Sequence, residues 1–180
     1  MFNKRIVVYG CDNSGKSTAC EKAKKILESK GLTSEVIHSC GPLSANEQLY
    51  FMADKTNNQE VDVVIFDRFP AIEEIVYGPI IRGENKLSKY EIQCKMYMDR
   101  ISLFIFCCPP FDVISNWGDR EQMDGVKERA ERIVMAYYNK VPGVYPGISY
   151  RTVEYDWTKD GDEGLEKIIT RWLEDEHYSL

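Results

Sequence analysis

Residues 10–18 read Gly-Cys-Asp-Asn-Ser-Gly-Lys-Ser-Thr and separate two segments of different character. The apolar run 6–9 before them is typical of a buried strand, and the charged stretch 18–30 after them is typical of a helix that ends at Gly31. A strand, a loop of the form Gly-x-x-x-x-Gly-Lys-Ser and a helix, in this order, are the pattern of a phosphate-binding loop. The pattern therefore predicts a domain in which a strand leads into a helix through a phosphate site.

The residue types in this loop suit phosphate chemistry. Its glycines let backbone N–H groups turn toward phosphate oxygens, the ammonium group of Lys16 offsets charge on a transferred phosphoryl group, and the Ser17 hydroxyl is a magnesium ligand. We expect ATP as the phosphoryl donor and Mg²⁺ as its cofactor. The residues predicted to bind the ATP phosphates are Gly10, Asn13, Ser14, Gly15, Lys16, Ser17 and Thr18.

A second acidic feature agrees with the loop. The apolar run 63–66 ends in Asp67, as does the strand beside a phosphate loop, where a carboxylate holds Mg²⁺ or its water shell. An aspartate at a strand end is also a common turn or cap residue, so it indicates little by itself. With the loop present, Ser17 and Asp67 together are the predicted metal site.

The rest of the chain alternates apolar runs with helical segments. Ser-x-x-Glu sequences at Ser44 and Ser88 predict capping boxes at two helix starts. Strands separated by helices imply a parallel sheet with helices on both faces, and the absence of repeats or linkers predicts one domain over residues 1–180. The predicted strands are 6–9, 34–38, 61–66, 101–107 and 150–155, and the predicted helices are 18–30, 44–54, 72–77, 88–100, 125–140 and 164–176.

Composition narrows the class of partner. A hydrophobic content of 43% with 29% charged residues fits a soluble globular protein, and no apolar stretch approaches the roughly 20 residues of a membrane span, so a cytoplasmic location is expected. The net charge of −6 disfavours a polynucleotide partner, which needs a dominant basic face. Six cysteines without C-x-x-C spacing are expected to be reduced thiols, and two histidines are too few for a zinc site.

Short motifs after the loop resemble the thymidylate kinase family of nucleoside monophosphate kinases. The family loop reads G-x-D-G-A/S-G-K-S/T-T, which this chain matches with Asp12 in place and Asn13 replacing a glycine. The segment Asp67-Arg68-Phe69 resembles the family's D-R-Y/F motif, and Tyr77 and Arg82 keep the separation in its Y-Q-G-x-G-R-G motif. Asp119-Arg120-Glu121, followed by Arg132 and Tyr138, resembles the family's lid and the helix after it.

The resemblance implies an α/β three-layer sandwich of the P-loop NTP hydrolase type, with a five-stranded parallel sheet, helices on both faces and a lid at about 116–125. It implies that Asp12 reaches the 3′-hydroxyl of the acceptor, Arg68 its phosphate, Phe69 or a neighbouring aromatic residue its base, and that Arg120 reaches the phosphates from the lid. It also implies a homodimer. The implied catalytic residues are Lys16, Asp67, Arg68 and Arg120. The implied acceptor-binding residues are Asp12, Arg68, Phe69, Glu74, Tyr77 and Arg82.

Three departures from the family concern the acceptor. Gly78 stands where the family has a glutamine that reads thymine, and residues 39–60 lack the family's Pro-Gly-Gly-Thr element. Glu74 is an additional acid, either a sugar or base contact or a helix-surface charge. The compact pattern most resembles short thymidylate-kinase-like proteins of bacteriophages, which would place the protein in a host cytoplasm. Lys127 and Arg129 are expected on a solvated helix face.

Several functions fit these motifs. The first is an ATP- and Mg²⁺-dependent (deoxy)nucleoside monophosphate kinase that converts a dTMP-like or modified pyrimidine monophosphate to the diphosphate. A deoxynucleoside kinase would need a general base, for which Asp67 is the candidate, but the kinases of that class lack the Asp12 carboxylate. A kinase of DNA ends or modified DNA bases, and a nucleotide-dependent switch, are the remaining alternatives.

Overall fold

The computed structural model describes residues 4–39, 43–57, 60–118 and 124–175. Five parallel strands form one sheet in the order β2-β3-β1-β4-β5, which confirms the predicted parallel sheet. The strands are β1 (Lys4–Tyr9), β2 (Ser34–His38), β3 (Val63–Asp67), β4 (Leu103–Cys107) and β5 (Thr152–Tyr155).

Helices occupy the connections between the strands. The α-helices are α1 (Lys16–Ser29), α2 (Ala45–Thr56), α3 (Pro70–Tyr77), α4 (Glu91–Met98), α5 (Phe111–Ile114), α6 (Ala130–Val144) and α7 (Trp157–Glu174). A π-helical turn, Gly78–Arg82, continues α3, and 3-10 turns cover Ser88–Tyr90, Lys127–Arg129 and Pro146–Arg151. Within the described ranges, no helix combines the length and apolar character needed to cross a membrane.

Alternating side chains of the strands build two hydrophobic cores. Val7 and Tyr9 of β1 face the core that α2, α3, α4 and α6 cover, whereas Ile6 and Val8 face the core under α1 and α7. The same alternation runs through β3 and β4, and all of these side chains are almost completely buried. Period-two alternation with both faces apolar is what a sheet between two helix layers requires. The three-layer sandwich is therefore confirmed.

The strand register positions the functional loop. Val8 of β1 lies opposite Asp67 of β3 on one side and Ile105 of β4 on the other. The loop that follows β1 consequently emerges between the carboxyl ends of β3 and β4. Ligands of open parallel sheets bind at such strand ends.

Two predicted helix starts differ from the structure. The capping box of Ser44 and Glu47 is present, but no side chain caps the segment that starts at Ser88. There the Asn85 side chain accepts a hydrogen bond from the Leu87 N–H at 2.8 Å and forms a local turn, so a 3-10 turn precedes α4. Similarly, α6 begins at Ala130 after a 3-10 turn, five residues later than the sequence predicts.

The closing helix starts earlier than predicted. Asp156 caps α7 by accepting a hydrogen bond from the Thr158 N–H at 3.1 Å, so the helix begins at Trp157 rather than at Gly164. Gly161 interrupts it with a φ of 58°. A glycine makes a helix less stable than an alanine does, by about 1 kcal/mol. Because Gly161 and Gly164 both lie near its start, propensity alone does not predict the beginning of α7.

Candidate active site

The loop between β1 and α1 surrounds a small polar centre. Gly15 adopts a φ of 89°, and an added Cβ there would lie 2.9 Å from the Trp157 ring, so only glycine fits. The Ser14 hydroxyl is completely buried and has no hydrogen-bond partner. Lys16 is 5% exposed, its Nζ donates to the Cys11 carbonyl, and it lies 4.0 Å from Asp12 Oδ1. A buried cation and an unpaired hydroxyl within one short loop before a helix suit an anion.

Ser17 and Asp67 meet beside this loop. Ser17 Oγ donates to Asp67 Oδ2 at 2.6 Å, and His38 Nδ1 lies 2.9 Å from the same oxygen. The second oxygen, Asp67 Oδ1, is buried without a hydrogen-bond partner. A hydroxyl and a carboxylate are ligands that Mg²⁺ prefers, and Mg²⁺ usually completes its shell with water and phosphate oxygens. The two predicted metal residues therefore lie together and fit this ion. The part of the chain described contains no group of three or more His, Cys, Asp or Glu side chains that could hold a metal ion.

Arg68 follows β3 and is held between two carboxylates. Its Nη2 forms an ion pair with Asp12 Oδ1, and its Nη1 donates to Glu73 Oε2 at 3.2 Å. Burial acts to lower the pKa of Arg68, but Glu73 and Asp12 raise it above its ordinary value. Arg68 adopts a φ of 73°, a conformation that non-glycine residues adopt only where the surroundings enforce it, often at functional sites.

Glu73 is a site residue that the sequence analysis missed. Its Oε1 accepts a hydrogen bond from the Tyr137 hydroxyl at 2.7 Å, in addition to the contact of its Oε2 with Arg68. Burial raises the pKa of Glu73 above its ordinary value, while Arg68 and Lys16 act to lower it. Glu73 and Tyr77 are four residues apart on one face of α3, so helical spacing from Tyr77 points to Glu73 rather than to Glu74.

Two tyrosines line the same region. The Tyr77 hydroxyl accepts a hydrogen bond from the Asp12 N–H at 3.1 Å, and its ring packs edge-on against Tyr137 with 6.3 Å between ring centroids. Burial, followed by the charge of Glu73, raises the pKa of both hydroxyls well above the ordinary value. Both phenols consequently remain protonated and act as hydrogen-bonding groups. Tyr77 thus lies against the loop, as the motif spacing predicts.

Glu74 and Arg82 form a separate network. Arg82 Nη2 lies 2.7 Å from Glu74 Oε1, which also accepts from Gln48 Nε2 at 2.9 Å, and the Lys86 N–H donates to Glu74 Oε2 at 3.1 Å. Glu74 is 5% exposed, so its interpretation as a helix-surface charge is wrong. These contacts tie α2, α3 and the segment after the π-helical turn together. They satisfy both carboxylate oxygens of Glu74 within the protein.

The position of Gly78 has a packing explanation. An added Cβ would lie 2.6 Å from the Glu84 carbonyl oxygen and 3.1 Å from Glu74 Oε2. The backbone of residues 84–86 approaches too closely for any side chain. A base-reading glutamine, as in the family motif, does not fit here.

Phe69 does not lie where a base contact requires it. It has no exposed surface, and its ring packs edge-on against Phe66 with 5.2 Å between centroids. A side chain that is enclosed in the core offers no face to a ligand. The expectation that Phe69 contacts the acceptor base is therefore corrected.

The predicted lid lies partly outside the described residues. Arg120, with Asp119 and Glu121, belongs to the segment 119–123, which is not described. Downstream of it, Lys127 is exposed, as predicted for a solvated helix face, whereas Arg129 is half-buried. Arg129 Nη1 donates to the Gly125 carbonyl at 3.3 Å.

Asn13 connects the loop to the helix after β4. Its Nδ2 donates to the carbonyls of Val113, Ile114 and Asn116 at 3.2, 3.0 and 3.1 Å. Asn13 adopts a φ of 64°, which asparagine tolerates better than most residues. At the position where the related loops have glycine, this chain therefore has a side chain that fastens the loop to the end of α5.

Replacing Asn13 with glycine should loosen this attachment while keeping the backbone conformation. We expect the free energy of unfolding to fall by about 1 kcal/mol and KM for ATP to rise by up to about tenfold, because one or more net hydrogen bonds are lost from the loop. Steady-state kinetics and thermal unfolding measure both. As a control, Asn116→Ala keeps the backbone carbonyl that accepts from Asn13. It should leave the free energy of unfolding and KM for ATP unchanged. An unaltered KM in Asn13→Gly would show that the attachment does not act on the loop.

Comparison with known proteins supports the fold. No protein-family model matches the sequence, and no curated protein matches it. The YorR protein of Bacillus subtilis, solved in complex with phosphorylated GDP, is similar with a TM-score of 0.72 and 19% identity over 97% of this chain and 98% of that chain. Thymidylate kinase of Candida albicans is similar with a TM-score of 0.57 and 15% identity over 99% and 94% of the two chains. This chain thus has the P-loop α/β fold of thymidylate kinase, which confirms at the level of fold the resemblance seen in its motifs.

Proposed function

We propose that the protein is a phosphotransferase that moves the γ-phosphoryl group of ATP to the phosphate of a (deoxy)nucleoside monophosphate. One observation carries this proposal. Lys16 of the phosphate loop and Arg68 after β3 both approach Asp12 Oδ1, Lys16 at 4.0 Å and Arg68 in an ion pair. Two cationic groups that approach the same carboxylate oxygen can hold two phosphates next to each other, which is what in-line transfer requires.

On the donor side, the protein positions phosphate oxygens and neutralises their charge. The loop N–H groups and the ammonium group of Lys16 would contact the ATP phosphates, and Ser17 and Asp67 would hold the magnesium ion. When bound, this ion would neutralise charge on the β- and γ-phosphates. We propose Arg120 as an additional cation over the transferred group, as the family resemblance implies.

On the acceptor side, Arg68 would bind the acceptor phosphate. Asp12 Oδ1 is occupied by Arg68, so the other carboxylate oxygen would accept the hydrogen bond from the 3′-hydroxyl. The Tyr77 hydroxyl would hold Asp12 in place by accepting a hydrogen bond from the Asp12 backbone N–H. The similar Bacillus subtilis structure contains a phosphorylated guanine nucleotide, and the similar Candida albicans protein is a thymidylate kinase, which supports a nucleotide acceptor without selecting its base.

A deoxynucleoside kinase is the second candidate, and one observation favours it. Two carboxylates, Asp12 and Glu73, already neutralise Arg68. An acceptor without a phosphate would leave these contacts undisturbed.

A transfer assay with radiolabelled ATP distinguishes the candidates. Deoxynucleoside 5′-monophosphates, their parent nucleosides and 5′-hydroxyl oligonucleotides are the acceptors to compare, each with the four common bases. The proposal expects a monophosphate to have the highest kcat/KM. If a nucleoside or an oligonucleotide is the best acceptor, the protein is a nucleoside kinase or a kinase of DNA ends instead.

The 3′-hydroxyl contact gives a more specific expectation. A 2′,3′-dideoxy monophosphate leaves a desolvated carboxylate without its partner, at a cost of about 1.5–3 kcal/mol, or roughly ten- to a hundredfold in kcat/KM. The penalty should shrink sharply in Asp12→Ala, because both changes remove the same contact. Asp12→Asn, which keeps an accepting oxygen, should retain part of it. If the penalty in Asp12→Ala equals that in wild type, another residue accepts the hydrogen bond of the 3′-hydroxyl.

A further inference from the structure

The charge balance around Arg68 is unusual for a phosphate-binding arginine. Its guanidinium is shared between Asp12, from the loop after β1, and Glu73, from α3. The Arg68 side chain is 34% exposed, whereas those of Asp12 and Glu73 are 11% and 16% exposed. The cation is therefore the most accessible member of this cluster, and the two acids are more enclosed.

Several charged or titratable groups face Glu73. Arg68 and Tyr137 contact its two carboxylate oxygens, and Lys16, Asp12 and Tyr77 are close enough to affect its titration or to be affected by it. The formal charges of Asp12, Lys16, Arg68 and Glu73 sum to zero. A phosphate dianion that binds Arg68 adds two negative charges beside Glu73, and like charges at a desolvated site raise the free energy of the complex.

We propose that Glu73 releases Arg68 and takes up one proton when the acceptor phosphate binds, so that it becomes a hydrogen-bond donor to that phosphate. This inference rests on the proposed function. The Nη1 hydrogen bond of Arg68 moves from Glu73 Oε2 to a phosphate oxygen. One proton from solvent occupies Oε2, and Tyr137 keeps its hydrogen bond to Oε1.

The surroundings of Glu73 favour this exchange. Burial raises its pKa, and Arg68, Lys16 and the Tyr137 hydroxyl act in the opposite direction. Once phosphates bind Arg68 and Lys16, these cations no longer offset the effect of burial on Glu73, and the phosphate adds negative charge. The pKa of Glu73 therefore rises further in the complex. Acceptor binding is then favoured at low pH and weakens as the pH rises through the pKa of Glu73 in the complex.

The exchange also separates two classes of acceptor. A monophosphate displaces Glu73 from Arg68 and must bring a proton into the site. A nucleoside has no group to compete for Arg68, so it leaves the ion pair in place and binds without proton uptake. Glu73 is thus an acceptor-binding residue whose protonation reports an acceptor phosphate.

Calorimetry in buffers of different ionisation enthalpy measures the proton directly. At about pH 8 a phosphate monoester, with a second pKa near 6, is already a dianion, so proton uptake then reports the protein. We expect wild type to take up close to one proton per deoxynucleoside monophosphate bound, and Glu73→Gln to take up close to none. Glu73→Gln should bind the monophosphate at least as tightly, because glutamine resembles the protonated acid and still accepts from Tyr137.

Glu28→Gln is the control. Glu28 is also paired with a cation, but it lies on α1 in a surface ion pair with Lys24, with 3.9 Å between Glu28 Oε1 and Lys24 Nζ. Its proton uptake per bound monophosphate should equal that of wild type. In wild type, KM for the monophosphate should also rise by up to about tenfold per pH unit between the pKa of Glu73 in the free protein and its higher pKa in the complex, a dependence that Glu73→Gln abolishes. Proton uptake and the pH dependence of KM can both be measured on wild type, so the inference can be tested even if Glu73→Gln does not fold.

The outcomes separate this inference from the proposed function. Monophosphate binding without proton uptake, or undiminished uptake in Glu73→Gln, overturns the role of Glu73 and leaves the monophosphate as acceptor. Failure of wild type to bind any monophosphate overturns both. If nucleoside binding takes up as many protons as monophosphate binding does, the exchange at Arg68 is contradicted.

Discussion

Replacing Lys16 with alanine should lower kcat for phosphoryl transfer by about 10²–10³-fold. The Lys16 side chain is 4% exposed and lies inside the loop, where a preorganised charge acts with little screening on the charge that develops at the transferred group. Truncation also removes the donor to the Cys11 carbonyl, which should reduce stability by only about 1 kcal/mol. Steady-state kinetics under saturating ATP, with thermal unfolding in parallel, separates the two effects.

Lys22→Ala is the control for this substitution. Lys22 lies on the exposed side of α1 and forms a surface ion pair with Asp162, an interaction typically worth less than about 1 kcal/mol. Its loss should leave kcat unchanged. A folded Lys16→Ala protein with wild-type kcat would rule out phosphoryl transfer at this loop.

Replacing Arg68 with alanine should reduce kcat/KM for a monophosphate acceptor by about 10²–10⁴-fold. Charge-assisted hydrogen bonds are worth about 1.5–3 kcal/mol each, and a guanidinium can offer two to a phosphate. Arg68→Lys keeps the charge but loses the planar fork, so it should give an intermediate value. A nucleoside acceptor should be almost unaffected, and the ratio of the two acceptors is the quantity to measure.

Because Arg68→Ala leaves Asp12 and Glu73 without their cation, its stability must be compared with that of a matched variant. Arg151 is 7% exposed, donates to the Gly147 carbonyl at 3.2 Å and lies outside the candidate site. Arg151→Ala should destabilise the fold and leave kcat/KM of the folded enzyme unchanged. If both substitutions lower kcat/KM equally, the effect of Arg68 is structural and not specific to the acceptor phosphate.

Local patterns predicted most of the fold, and their errors have local causes. The apolar runs located all five strands, because a strand buried on both faces leaves a continuous apolar signal. The start of α7 was missed because glycines at 161 and 164 weaken the helical pattern, although Asp156 caps it. The capping box expected at Ser88 is absent because a 3-10 turn covers Ser88–Tyr90 and α4 begins only at Glu91.

The site was predictable only where one short segment contains the chemistry. The loop Gly10–Thr18 carries its function in consecutive residues, and Asp67 is marked by the apolar strand before it. By contrast, Glu73 and Glu74 are adjacent acids in the same helix, and only the helical spacing of Glu73 from Tyr77 tells them apart, once α3 is known to place Tyr77 against the loop. Phe69 fits an aromatic motif position, yet packing against Phe66 removes it from any ligand.

The sequence by itself determined the phosphate loop, the five strands and the acid at the end of β3, because each leaves its signal in residues that are close together in the chain. Only the tertiary structure decided the strand order, which brings Asp67 beside the loop, and the partners of Arg68 and Glu74. Asn13 reaches a helix that lies 100 residues away, and Tyr137 reaches Glu73 across 64 residues. Such pairings depend on how α3, α5 and α6 pack on the sheet, which no local pattern of residues records.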